Sequence, residues 1–175
     1  MSEERQWIEA CQQGHRSAYE PMVRRYGPIG YRFALSVVRN PEDAKDLSQE
    51  ALIRAYYALH RFDLERPFYP WFLKILRNLC LSHLRRSRPT VTLEDIPPLA
   101  QPSHVAPELR LAVGQALEAM DEKHREILVL KEFQDLTYTE ISAVLGIPRG
   151  TVMSRLYHAR RRLRELLNVN VKGES

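Results

Sequence analysis

The segment 136–164 constrains this chain most, because it predicts two short helices joined by a tight turn. Thr137 and Glu140 have the Thr-x-x-Glu spacing of a capping box, so the first helix is expected to begin directly after the threonine. Gly146 is the residue type expected just beyond a helix end, and Pro148 suits the first position of the next helix. The two helices are therefore expected to meet at a sharp corner.

The second predicted helix has one apolar side and one basic, polar side. On a wheel at about 100° per residue, its apolar side chains fall within about 40° of one direction, which predicts a stripe facing the core. These residues are Val152, Leu156, Ala159, Leu163 and Leu166. The opposite face and its shoulders carry Thr151, Met153, Ser154, Arg155, Tyr157, His158, Arg161 and Arg164. Hydroxyl, aromatic, imidazole and guanidinium groups read base edges and bind phosphates, so the pattern predicts a recognition helix in a DNA major groove.

A solvated helix surface is the alternative explanation of this charge. Residues 141–164 contain six arginines and no acidic residue. A solvated face normally mixes both signs of charge, whereas this one has a single sign and follows a helix-turn-helix pattern. DNA binding is therefore the favoured interpretation.

Composition excludes several other classes of protein. The net charge of +4 and the pI near 9.2 favour a polyanionic partner only modestly, since 22 acidic residues accompany 26 basic ones. No apolar segment is long enough for a membrane span and the N-terminus lacks a signal-peptide core, so a cytoplasmic protein without membrane insertion is expected. Cys11 and Cys80 lack CxxC spacing, so no disulfide, metal site or cofactor is predicted.

A proline-bearing segment divides the chain. Residues 87–106 contain several prolines and few large apolar residues in any regular period, which predicts an extended linker. Almost everything else has helical periodicity, so the expected fold class is all-α, with two small helical domains. The predicted bounds are 1–86 for the first domain, 107–168 for the second and 169–175 for a frayed tail.

In the first domain, two helices are expected over residues 7–19 and 22–39, and a third opens at Pro41 with acidic residues in its first turn. The inward stripe of the third helix is Ala44, Leu47, Ala51, Ala55 and Leu59. Its outer face carries Asp46, Gln49, Glu50 and Ile53. Solvation alone explains such a face, so binding and solvation remain open alternatives.

An aromatic loop and a basic helix follow. Residues 60–70 are rich in aromatics and prolines, a helix is expected over 71–86, and residues 66–93 contain no acidic residue. Single-stranded nucleic acid binds such a combination, because unstacked bases stack on aromatic rings while phosphates meet the cations. The alternative is that the aromatics are ordinary core residues: Phe68, Tyr69 and Trp71.

Four motifs, in order and at these separations, resemble the extracytoplasmic-function (ECF) group of bacterial sigma factors. They are Gly14-His-Arg-Ser-Ala-Tyr, Asp43-Ala-Lys-Asp-Leu-Ser-Gln-Glu, Pro70-Trp-Phe-Leu-Lys-Ile-Leu-Arg-Asn and Gly150-Thr-Val-Met-Ser-Arg-Leu. The similarity covers almost the whole chain. It implies two modules, sigma2 and sigma4, and a function in promoter-specific transcription initiation rather than an enzyme activity.

The resemblance also implies a role for each surface. The acidic helix would bind the beta-prime clamp of core RNA polymerase through Asp43, Asp46, Gln49 and Glu50. The aromatic loop and basic helix would hold the non-template strand of the minus-10 element, with Asn78 at an extruded base. The implied minus-10 residues are Arg61, Phe62, Phe68, Tyr69, Trp71, Lys74, Arg77, Asn78, Arg85 and Arg86. Sigma4 would dock the beta flap and place its recognition helix at the minus-35 element, through Arg149, Thr151, Met153, Ser154, Arg155, Tyr157, His158 and Arg161.

Three positions depart from the pattern of that group. Met153 and His158 stand where lysine or arginine is frequent, so the minus-35 preference of this chain is not implied by its relatives. Ser82 replaces a common aspartate. The resemblance further implies an anti-sigma factor as a partner, and a linker that threads through polymerase towards the active site.

Two other functions are alternatives to transcription initiation: a stand-alone regulator and a nucleic-acid-processing enzyme. A stand-alone helix-turn-helix regulator accounts for the second domain but gives no role to the aromatic loop, the basic helix or the acidic helix. A nucleic-acid-processing enzyme would need paired carboxylates at metal-site spacing, a phosphate-binding glycine loop or a nucleophile motif, and the sequence contains none of these. No catalytic residue is therefore predicted.

Overall fold

The protein is described here from a computed structural model, which describes residues 3–86 and 107–172. Both ranges consist of helices joined by short turns and contain no strand, so the all-α prediction is confirmed. The predicted linker lies outside the described residues. Within them, every helix is too short or too polar to cross a membrane.

Internal contacts divide the chain into two units, Met1–Ile96 and Pro97–Ser175. The boundary between the units falls inside the predicted linker. The division agrees with the expected two-domain organisation, whereas the bounds given above for the linker and the tail stay predictions.

Within residues 3–86, the first unit contains four α-helices: α1 Glu3–Gln12, α2 Glu20–Val38, α3 Pro41–Ala58 and α4 Phe68–Arg86. Short 3-10 turns precede α2 at Arg16–Tyr19 and follow α3 at Leu59–Arg61. The expected helix over residues 7–19 is not continuous: α1 ends at Gln12, and Gly14 adopts a left-handed φ of 95°.

The start of α3 follows from its cap. The Asn40 side chain accepts a hydrogen bond from the Asp43 backbone N–H at 3.0 Å, and Pro41 occupies the first turn. Helices α2, α3 and α4 pack together around large side chains that are fully buried: Met22, Phe33, Phe68, Phe72 and Leu76. Packing around this core fixes how α2, α3 and α4 lie against one another, and so which of their residues face solvent.

Helix α4 begins earlier than expected, at Phe68 rather than Trp71. Pro70 lies within the first turn, where a missing N–H costs no helical hydrogen bond, so the proline does not delay the helix. Part of the predicted aromatic loop is therefore the first turn of α4. The loop itself is shorter and runs from Phe62 to Pro67.

The described part of the second unit, residues 107–172, also contains four α-helices: α5 Pro107–Glu118, α6 Glu122–Leu128, α7 Tyr138–Leu145 and α8 Arg149–Lys172. A single π-helical turn, Val129–Phe133, continues from α6. Helix α8 packs on α5, α6 and α7, so it is the element around which this unit is built.

The capping box at the start of α7 is confirmed. The Glu140 backbone N–H donates to Thr137 Oγ1 at 3.3 Å, and the Thr137 backbone N–H donates to Glu140 Oε2 at 2.8 Å. Gly146 ends the helix with a φ of 67°, a conformation that suits glycine. The Pro148 carbonyl accepts from the Val152 N–H at 3.1 Å, so Pro148 caps α8 and lies one residue before its first position.

Candidate nucleic-acid interfaces

The recognition helix has the two faces that the wheel predicts. Val152, Leu156 and Ala159 are buried, which fixes the rotation of α8 about its axis. The opposite face is open to solvent, with Met153 53% and Tyr157 65% exposed. Arg149, Ser154, His158 and Arg161 are also exposed, whereas Thr151 and Arg155 are half-buried on the shoulder. All eight predicted minus-35 residues are therefore at least partly accessible to a DNA partner.

Two neighbouring arginines on α8 have different surroundings. Arg160 donates to Glu132 Oε1 through Nε at 3.0 Å and through Nη2 at 2.6 Å, and these hydrogen bonds raise the pKa of its guanidinium. Arg161 lies 3.7 Å from Glu165 Oε1, beyond hydrogen-bond distance, and its side chain is 59% exposed. Arg160 thus ties α8 to the π-helical turn, while Arg161 projects its charge towards solvent.

A groove of about 360 Å³ opens beside the exposed face of α8. Its lining includes Met153, Tyr157, Arg161 and Arg164 from the recognition helix, and Tyr138 from the start of α7. Sequence reasoning did not select Tyr138. The sequence does place Tyr138 in the first turn of α7, directly after the capping residue Thr137. That first turn lies beside the recognition helix, so Tyr138 lines the groove.

A second, basic groove lies between α3 and α4 in the first unit and has a volume of about 620 Å³. It brings together three predicted minus-10 residues, Asn78, Arg85 and Arg86. Its other lining residues are Arg54, Ile75, Leu79 and Ser82. Cations, an amide and apolar side chains in one groove can hold a base and its phosphates.

Arg54 of this groove was missed by sequence reasoning. Its Nε donates to Glu50 Oε1 at 2.7 Å, four residues earlier on α3, which is the pattern of an ordinary surface ion pair. Only the packing of α3 against α4 shows that Arg54 also faces Asn78 across the groove. No signal within the α3 sequence distinguishes it from a solvated arginine.

Two of the predicted minus-10 residues, Phe62 and Phe68, are core residues in this structure, which is the alternative that the sequence left open for Phe68. Phe68 is completely buried and Phe62 is 6% exposed, so neither ring offers a face to a base. The two rings lie in an aromatic cluster, in which the Phe62 centroid is 4.8 Å from that of Trp71 and 5.8 Å from that of Phe68. The physical reason is the free energy of burial: each ring removes a large apolar area from water when it packs in the core.

The other predicted residues of this region remain accessible. Trp71 and Tyr69 are half-buried, and Tyr69 stacks on Tyr26 with centroids 5.5 Å apart. Burial raises the pKa of the Tyr69 hydroxyl above its ordinary value. Arg61 and Lys74 are exposed and Arg77 is half-buried. Accessible cations therefore border the loop, with one indole partly open beside them.

The acidic face of α3 is a separate surface. Asp46 and Gln49 are exposed, while Asp43 and Glu50 are half-buried and each faces a basic side chain. Asp43 Oδ2 is 3.1 Å from His83 Nε2, which links the start of α3 to α4. The predicted polymerase-binding residues thus lie along one side of α3.

Exposed apolar side chains adjoin this acidic face. Val23, Ile53 and Tyr57 are 40%, 52% and 71% exposed, and they line a groove of about 620 Å³ that also includes Gln49. Of the three, sequence reasoning had placed only Ile53 on the outer face. Apolar groups beside charged ones are typical of a protein-binding surface rather than of a solvated helix.

Within residues 3–86 and 107–172, no three histidine, cysteine or acidic side chains come together as metal ligands would. Cys80 is buried, and burial raises the pKa of the partly buried Cys11 thiol.

Comparison with known proteins connects the two units to one class of transcription factor. Residues 22–90 match sigma-70 region 2, and residues 110–163 match sigma-70 region 4. The ECF RNA polymerase sigma factor SigW of Bacillus subtilis is 29% identical, over 91% of this chain and 94% of that protein. The RNA polymerase sigma-H factor of Pseudomonas aeruginosa is 31% identical, over 91% of each chain.

Two solved structures are similar in fold and sequence. The structure of CnrH in complex with the cytosolic domain of CnrY has a TM-score of 0.75 and 28% identity, covering 96% of this chain and 99% of that one. The sigma factor RpoE in complex with the anti-sigma factor NepR from Bartonella quintana has a TM-score of 0.71 and 25% identity, covering 86% and 97%. The chain therefore belongs to the sigma-70 family, and within it to the ECF group of RNA polymerase sigma factors.

Proposed function

We propose that this alternative sigma factor, which directs RNA polymerase in transcription initiation, selects promoters with two separate DNA-binding surfaces. The exposed face of α8 reads the minus-35 element as duplex, and the basic groove between α3 and α4 holds the non-template strand of the minus-10 element. The observation that carries the proposal is the convergence of Asn78, Arg85 and Arg86 in one groove, joined by Arg54.

At the minus-35 element, the core stripe of α8 leaves its hydroxyl, imidazole and guanidinium groups on the side that faces away from the unit. Such a helix enters the major groove, where arginines contact phosphates or guanine and shorter side chains contact base edges. Met153 and His158 lie on this face. Apolar contact from Met153 and a single ring nitrogen from His158 give this chain a minus-35 preference of its own.

At the minus-10 element, extrusion of a base costs a few kcal/mol, which a binding pocket must recover. The Asn78 amide can both donate to and accept from a base edge, and Ile75 and Leu79 provide apolar contact beside it. Arg54, Arg85 and Arg86 line the same groove and can neutralise the phosphates on either side. The buried Phe62 and Phe68 act indirectly, by supporting Trp71.

Protein partners are proposed for the remaining surfaces. The acidic face of α3 binds the beta-prime clamp of core polymerase through Asp43, Asp46, Gln49 and Glu50, and the second unit docks the beta flap. Such a role places the protein in the cytoplasm, where polymerase acts. Similarity to structures whose titles name a cytosolic domain of CnrY and the anti-sigma factor NepR supports an anti-sigma factor as a further partner.

Asn78→Ala tests the proposal by separating two steps. The variant loses its hydrogen bonds to the extruded base but keeps the acidic face, so promoter opening should fall about tenfold while affinity for core polymerase changes less than about twofold. Opening is followed by permanganate reactivity of unpaired thymines, and core binding by fluorescence anisotropy. Gln115→Ala, an exposed amide in the second unit, is the control.

Equal losses of opening and core binding in Asn78→Ala would contradict the assigned role. A protein that bound duplex DNA tightly by itself and did not bind core polymerase would instead be a stand-alone helix-turn-helix regulator.

A further inference from the structure

Helix α1 precedes the part of the chain that matches sigma-70 region 2, which begins at residue 22. Nothing in the function proposed above depends on it. In the structure, however, α1 lies against the segment between α3 and α4, which comprises the 3-10 turn Leu59–Arg61 and the loop 62–67. Three side chains of α1 make specific contacts around this segment.

Gln12 makes the most specific of these contacts. Its Nε2 donates to the backbone carbonyl oxygens of Leu59 and Phe62, both at 2.9 Å. The two carbonyls lie at opposite ends of the 3-10 turn, and the Phe62 N–H donates back to the Leu59 carbonyl at 2.9 Å. The Gln12 carboxamide therefore supplies hydrogen bonds to a carbonyl at each end of the turn, where the chain leaves helical geometry.

Arg5 contacts the loop directly, whereas Glu4 is linked to the start of α4 only through Tyr26 of α2. Arg5 Nη1 donates to Glu65 Oε1 at 3.1 Å, which ties the tip of the loop to α1. The Tyr26 hydroxyl donates to the Glu4 carboxylate, and the Tyr26 ring stacks on Tyr69 in the first turn of α4. The loop is thus held at its start, at its tip and at the helix that follows it.

We propose that α1 is a brace that holds the loop 62–67 ready for strand capture, and that Gln12 is its positioning residue. The inference rests on the proposed minus-10 function and on the role that the resemblance implies for the aromatic loop, whose exposed Arg61 lies in the 3-10 turn that Gln12 contacts. Gln12 lies far along the sequence from the loop and contacts its backbone rather than a side chain. It acts on DNA only through the conformation of the loop.

The physical reason is preorganisation. The loop has no regular secondary structure of its own, so contacts from outside decide which conformations it populates. A ligand that binds one conformation loses affinity in proportion to the fraction of molecules that leave it. Removal of both Gln12 hydrogen bonds should therefore weaken strand binding without altering any residue that contacts the strand.

Gln12→Glu is the sharpest test, because it keeps the size of the side chain and replaces two donated hydrogen bonds with a carboxylate facing two carbonyl oxygens. Gln13→Glu makes the same change of charge at an exposed neighbouring position. Holoenzyme is assembled with core polymerase, and its affinity is measured for a labelled single-stranded minus-10 oligonucleotide from a promoter that it transcribes. We expect about a tenfold loss for Gln12→Glu and less than a twofold change for Gln13→Glu.

Two further measurements on Gln12→Glu distinguish a local effect on the loop from a general loss of stability. Core affinity and binding to minus-35 duplex should remain within twofold of the unaltered protein, and hydrogen exchange should rise for the Phe62 and Arg66 amides, which are bonded within this segment. If Gln12→Glu does not fold, the same measurements are made on Gln12→Ala. This variant should fold, because water can reach the partly buried site and donate to the Leu59 and Phe62 carbonyls.

Asn78→Ala, which alters the proposed strand site itself, distinguishes failure of this inference from failure of the proposed function. If Asn78→Ala weakens strand binding and Gln12→Glu does not, the brace is refuted and the strand site stands. If neither weakens it, the strand site itself is wrongly assigned and the brace falls with it. If Gln12→Glu weakens core and strand binding equally, Gln12 has only a general structural role and the inference is overturned.

Discussion

The contrast between Arg160 and Arg161 gives a quantitative test of DNA binding by α8. A phosphate contact releases condensed counterions, so each one adds about 0.9 to the slope of log affinity against log salt concentration. Arg161 is exposed and has only a distant carboxylate beside it, Glu165 at 3.7 Å, which also lies 3.4 Å from Arg162. Arg161 is therefore available to a phosphate.

Arg161→Ala should lower the magnitude of this slope by about 0.9. Between 50 and 200 mM salt, the unaltered holoenzyme should then lose about 3.5-fold more affinity than the variant does. Binding to an upstream minus-35 duplex is measured by anisotropy across this range. The matched control is the double variant Glu132→Gln with Arg160→Gln, which removes the adjacent ion pair without changing the net charge.

The control variant should leave the slope unchanged, because Arg160 is paired with Glu132 and is therefore not expected to bind a phosphate. An unchanged slope for Arg161→Ala would show that this arginine is merely solvated. A control variant that lowers the slope as much as Arg161→Ala would show that the ion pair does not decide which arginine reaches DNA.

Two predictions concern stability. Phe68→Ala should lower the free energy of unfolding of the first unit by about 3–5 kcal/mol, since the ring is completely buried, and urea denaturation would show it; a change below about 1 kcal/mol would mean that the ring is not core. Thr137→Ala should cost the second unit about 1 kcal/mol by removing the cap of α7, measured as a lower melting temperature; an unchanged value would indicate that the capping box contributes nothing.

Local signals made the second unit predictable. The capping box, the glycine at the end of α7 and the apolar stripe of α8 each depend on residues within a few positions of one another. Interactions over that range are set by backbone geometry, which the sequence specifies directly. The predicted stripe of five apolar residues is buried at Val152, Leu156 and Ala159, whereas Leu163 and Leu166 nearer the end of α8 are half-buried.

Packing between helices could not be predicted in the same way. Arg54 has the sequence pattern of a surface ion pair, and its place in the basic groove appears only when α3 packs on α4. Phe62 and Phe68 lie in a region whose composition suits both strand binding and a core, and tertiary burial decided for the core. The contacts of Gln12 join residues 47 and 50 positions apart, beyond any local pattern.

The central claim is that this chain gives core RNA polymerase its promoter specificity through both DNA-binding surfaces. The most direct measurement is transcription in vitro on genomic DNA fragments by core polymerase with and without the protein, followed by mapping of the start sites. We predict new, discrete start sites that share two sequence elements at minus-35 and minus-10 spacing, and that Asn78→Ala and Arg161→Ala both reduce. Start sites identical to those of core polymerase alone would contradict the account.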